Sequence, residues 1–124
     1  MGGDELEGFI LSGDAREVDS FWAEKGMGYH PATRCMPWTD REGLNIKGGL
    51  PPYSTDRGLR YVIEDRVREV VGENEAYPRE VARLTEKHYD AYDNLTFYEQ
   101  RWNHINATNR QVILAAARAM GLTL

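Results

Sequence analysis

The chain has 124 residues, of which 41% are hydrophobic and 28% charged, and its formal net charge is −5. That length gives one domain with room for a real core, and the composition is that of a soluble globular protein. No apolar run approaches the roughly 18 residues needed to span a bilayer, and the acidic balance argues against a general nucleic-acid binder, which needs a basic face.

The charge is unevenly spread. Residues 1–24 hold seven acids against Arg16, whereas the remainder is close to neutral and no acid follows Glu99. An acidic start lacks the basic region of a signal peptide, and Leu6 stands where a myristoylation signal wants Ser or Thr. The single cysteine, Cys35, forms no internal disulfide and fits a reducing cytosol. A cytoplasmic protein is expected, in which the Asn-x-Thr sequons at Asn94 and Asn106 are coincidental.

Residues 1–13 mix glycines and acids around Phe9-Ile10-Leu11 and read as a flexible acidic N-terminus, with residues 1–8 dispensable for folding. A single domain is expected over 14–124. Asp14 and Glu17 are spaced as a capping box, opening a short helix that carries Val18, Phe21 and Trp22 and ends at Gly26. Residues 27–53 are interrupted by Gly28, Pro31, Pro37, Gly43, Gly48, Gly49, Pro51 and Pro52. A loop this long in a small domain is uncommon and often functional. Two readings stand for it: a cover over a sheet edge, with Met36 and Trp38 plugging the core, or a ligand or partner surface.

Pro51-Pro52-Tyr53-Ser54-Thr55-Asp56 launches the best-specified element. Ser54 is expected to cap the first turn, and Asp56 to favour the positive helix end. Leu59, Val62, Ile63, Val67, Val70 and Val71 form one stripe of helical period over 54–71, stopped at Gly72. Beyond Pro78 the pattern is double. Val81, Leu84, His88 and Tyr92 suit a helix, whereas the aromatic run from Tyr89 to Ile105 suits strands, which are favoured over about 88–105. Thr108 and Gln111 then form a capping box for an alanine-rich helix over 108–120 that ends at Gly121. Its nearly all-round apolar surface suggests packing on a sheet. The expected fold is therefore α/β (α+β), a small antiparallel sheet between helices.

Three stretches together resemble the phage ABA-sandwich family: Trp22-Ala23-Glu24-Lys25-Gly26-Met27-Gly28-Tyr29, the Pro51–Asp56 hexapeptide, and the Gln111–Met120 helix. The order and spacing match over roughly residues 20–121, while residues 73–105 depart from the family's strands. The resemblance implies a small phage or prophage protein with helices on both faces of a sheet. It carries no chemistry to any residue.

Candidate chemistry is sparse. Ser54 and Asp56 could seed a small hydrolase with His30 or Cys35, but the Gly-x-Ser-x-Gly elbow is missing and capping explains both. His30, Cys35, His88 and His104 lack metal-ligand spacing, so no metal or cofactor is expected. Arg34 beside Cys35 is weak support for a thiolate nucleophile, and Lys47-Gly48-Gly49 is too short to cradle phosphate. The preferred expectation is a non-enzymatic accessory protein that binds a host protein or sequesters a small anionic, nucleotide-like ligand. Self-association is a further expectation. Tyr29, Arg34, Trp38, Tyr53 and Arg57 are the candidate contacts, because guanidinium forks match phosphate or carboxylate oxygens and aromatic faces stack on bases.

Overall fold

A computed structural model describes residues 2–73, 75–85 and 106–124, and the described residues form an all-α arrangement. The first helix, α1, spans Gly2–Ser12. Leu6 and Ile10, one turn apart, turn into the core, and Ile10 is fully buried. In the segment expected to be a flexible N-terminus, burial of this one face outweighs the poor helix propensity of glycine.

Helix α2 spans Ala15–Phe21 and opens on Asp14, whose carboxylate accepts from the backbone N–H of Arg16 (3.1 Å) and Glu17 (3.3 Å). It runs into a wider π-helical turn, Trp22–Gly26. The cause of the glycine is visible: a Cβ on Gly26 would lie 2.4 Å from the Trp22 ring. Trp22 itself is fully buried.

A 3-10 turn, Arg57–Leu59, leads into α3, Arg60–Val71. The predicted stripe is real, with Ile63 and Val67 buried and Leu59, Val62 and Val71 packed on their flank, although Val70 is exposed. Its cap differs from expectation. Asp56 accepts from Gly58 N at 2.8 Å, while the Ser54 hydroxyl faces the other way and donates to the Ala15 carbonyl at 3.4 Å. Gly72 closes α3 with a φ of 73°.

Helix α4 spans Ala76–Thr85 and buries Tyr77, Val81 and Ala82, with Pro78 in its first turn. The strands expected at about 88–105 lie outside the described residues. Helix α5, Asn109–Met120, begins with the predicted capping box. Thr108 Oγ1 accepts from Gln111 N at 3.1 Å, and Gln111 Oε1 accepts from Thr108 N at 2.9 Å.

The α/β expectation is overturned. Among the described residues there is no β-strand, only the isolated bridges His30–Thr39 and Thr39–Asn45. Helix α5 packs instead on α1, α3 and α4, and its residues Val112 to Ala117 are all buried. Three consecutive alanines let neighbouring helices approach closely, which serves a helical hub as well as a sheet. Arginines pin the partners to it. Arg110 donates to the carbonyls of Ile10 (3.1 Å) and Gly13 (2.7 Å) at the end of α1. Arg118 reaches Glu7 of α1 at 3.7 Å and Glu80 of α4 at 3.3 Å.

Candidate functional site

The loop from Met27 to Tyr53 is built by local chemistry rather than left slack. Gly28 turns at a φ of +76°, a conformation that side chains with a Cβ resist. His30 and Thr39 exchange backbone bonds, and Ile46 N donates to the Trp38 carbonyl at 3.0 Å. Two side chains organise the turns between. Thr33 Oγ1 accepts from Cys35 N (3.4 Å) and Met36 N (3.2 Å), and Asp40 Oδ1 accepts from Glu42 N (2.9 Å) and Leu44 N (3.0 Å). Such local acceptors fix a turn without help from the core.

The loop is also tied down. Glu69 on α3 pairs with Arg41 of the loop at 3.2 Å and with Arg66 at 2.8 Å, and Arg66 Nε donates to the Gly26 carbonyl at 2.8 Å. Hydrogen bonds from Arg66 and then Arg41 hold the Glu69 carboxyl below the usual carboxylate range. What the loop holds outward is apolar as well as charged. Met36 is 56% exposed and Leu44 62%, with Arg34 and Cys35 exposed beside Met36.

Below the loop lies a polar junction. Asp19 of α2 is only 8% exposed, and its carboxylate accepts from Ser54 N at 2.7 Å. Asn109, at the start of α5, donates through Nδ2 to the carbonyls of Tyr53 (2.9 Å) and Asp56 (2.7 Å). Tyr53 fills the space between, almost fully buried. Burial above all, then the Tyr29 hydroxyl and the Asp19 carboxylate beside it, pushes the Tyr53 hydroxyl well above the usual phenol range. A pocket of about 280 Å³ opens at the edge of this junction, lined by Arg16, Asp19, Ser20, Trp38 and Leu50.

The five candidate contacts are thus divided. Tyr29 is half-buried beside Tyr53, and Tyr53 belongs to the core, so it has no free face for a base. Trp38 packs against the core and also lines the pocket. Met36, its supposed companion in plugging the core, points to solvent. Arg34 sits at the exposed loop turn, and Arg57 is exposed in the 3-10 turn. Neither arginine lines the Trp38 pocket.

The hydrolase alternative finds no support in this geometry. The Ser54 hydroxyl donates to the Ala15 carbonyl and Asp56 caps Gly58, so both have structural work. Among the described residues no three His, Cys, Asp or Glu side chains are grouped to hold a metal ion, and His88 and His104 lie outside them. Nor is any described helix long and apolar enough to cross a membrane.

Sequence reasoning missed Asp19, Arg16, Ser20 and Leu50 as pocket residues, and Leu44 as an exposed apolar group. Asp19 carried a signal: at helical spacing it falls on the stripe of Ala15, Trp22, Ala23 and Gly26, where an acid is out of place. Set against family descriptions, curated proteins and solved structures, the chain matches none of them.

Proposed function

We propose that this is a non-enzymatic binding protein whose 27–53 loop contacts a partner protein. One observation carries the reading: the loop is fixed by its own side-chain acceptors and by Glu69, yet it presents Met36 and Leu44 to solvent. Large apolar groups on a rigid scaffold are the usual makings of a recognition surface, since little ordering entropy is lost on binding. Arg34 beside Met36 suits an acidic rim on the partner. A cytoplasmic setting fits the exposed free thiol of Cys35. The motif resemblance suggests a phage accessory role with a host protein as the partner.

Sequestration of a nucleotide-like ligand has less support. The pocket beside Trp38, at about 280 Å³, lies just under the usual range for small-molecule sites, roughly 300–1,000 Å³, and the candidate arginines are elsewhere.

The test is affinity capture from host lysate, followed by reconstitution with the purified partner. Met36→Asp with Leu44→Asp, and separately Arg34→Ala, should each weaken binding at least ten-fold. Tyr61→Asp, an equally exposed change on α3, should leave it intact. Equal affinity for wild type and all loop variants, or self-association through the loop as the only binding found, would contradict the reading. Nucleotide binding that stabilises the chain against heat would favour the ligand alternative.

A further inference from the structure

The Asp19 carboxylate is a charge without a counter-charge. It is 8% exposed, and Ser54 N, at 2.7 Å, is its hydrogen-bond donor. None of the ion pairs among the described residues reaches it. Arg16, which lines the same pocket, is exposed and forms no ion pair with it. A carboxylate withdrawn from water is costly unless a cation or several donors compensate it. One backbone N–H is a small compensation.

Asp19 also opens onto a space. The pocket of about 280 Å³ is lined by Arg16, Asp19 and Ser20 of α2 and by Trp38 and Leu50 of the loop. Trp and Leu offer apolar walls for an alkyl stem, and an indole face attracts a cation. The Ser20 hydroxyl is a second acceptor for an N–H donor. The pocket is small, so it suits one extended side chain or a compact molecule.

From this geometry we infer that the Asp19–Trp38 pocket binds a primary alkylammonium group, with Asp19 as counter-ion, Ser20 as second acceptor and Trp38 and Leu50 around the stem. The ammonium could come from a lysine of a partner protein or from a free small amine. The site goes beyond the loop reading and does not depend on it, because small probes test it without any partner.

The experiment uses the full chain labelled with ¹⁵N and follows the Trp38 indole N–H, assigned by its disappearance in Trp38→Phe. n-Butylammonium chloride should shift that signal saturably in the millimolar range while the Trp22 indole stays unmoved, and n-butanol should bind at least ten-fold more weakly. Asp19→Asn keeps an acceptor for Ser54 N and should weaken butylammonium binding at least ten-fold. If that variant fails to fold, Ser20→Arg decides instead, since its guanidinium would occupy the cation position and abolish the shift. Tighter binding of Nα-acetyl-lysine methylamide than of butylammonium would identify a peptide lysine as the source, and the reverse a free amine. Equal binding of butanol, unchanged binding in folded Asp19→Asn or in Ser20→Arg, or no saturable shift would overturn the assignment. Loss of partner capture by the loop variants bears on none of these results.

Discussion

Ser54 and Asp56 show how one hexapeptide can be read correctly as a helix entry and wrongly in its atoms. Both residue types cap helices, and nothing in the spacing says which oxygen will meet a free N–H. The fold decided, by placing Asp19 against Ser54 N and leaving Asp56 to the turn. Asp56→Ala should therefore cost about 1 kcal/mol in denaturant unfolding. Ser54→Ala should cost no more than about 0.5 kcal/mol, because its hydroxyl bond is long. The reverse order would restore Ser54 as the cap. At Gly26 steric overlap sets the outcome. With its Cβ 2.4 Å from the Trp22 ring, Gly26→Ala should lose about 1–3 kcal/mol by overpacking.

Tyr53 and Tyr77 make a pH prediction at the same scale. Burial raises both hydroxyls above the usual phenol range, helped at Tyr77 by the nearby Glu64 carboxylate. The folded state then holds these protons after the unfolded chain has begun to release them. Their contribution is complete below an unfolded pKa of about 10 and is lost progressively as pH rises beyond it. Stability should fall above about pH 10, and Tyr77→Phe should make that fall shallower. A fall of unchanged steepness would mean that Tyr77 is not withdrawn from water.

Among the elements, α5 and α3 were legible because their signals are local. Thr108 and Gln111 cap one another across four residues, and the α3 stripe repeats at helical spacing. Helix α1 was hidden, because a segment containing Gly2, Gly3 and Gly8 has little intrinsic reason to be helical. Its stability comes from docking Leu6 and Ile10 on α5 and from the Arg110 bonds to its last carbonyls. Ile10→Ala should consequently cost about 2–5 kcal/mol, and deletion of residues 1–8, which removes Leu6, should lower the melting temperature sharply. A truncated chain that melts like the full one would reinstate a dispensable arm.

The sheet was inferred from an alanine-rich helix, whose burial a helical body satisfies equally, and from the aromatic run over about 88–105. An alanine-rich helix with apolar residues all round must be buried, but its sequence does not name the partner. The aromatic run from Tyr89 to Ile105, the other support for a sheet, lies outside the described residues. The candidate site was partly legible for related reasons. Aromatic and basic residues marked the 27–53 loop, but only the packed fold shows that Tyr53 is core, that Met36 is outside, and that Asp19 and Trp38 line one pocket. At the scale of the molecule, α5 is the hub of a helical body which holds that loop in place. Methyl and amide NOEs test it most directly. Contacts are expected from the Ala115, Ala116 and Ala117 methyls to side chains of α1, α3 and α4, with helical carbon shifts throughout residues 2–12 and 76–85. Strand-like shifts in those segments, or alanine methyl contacts confined to residues 88–105, would contradict it.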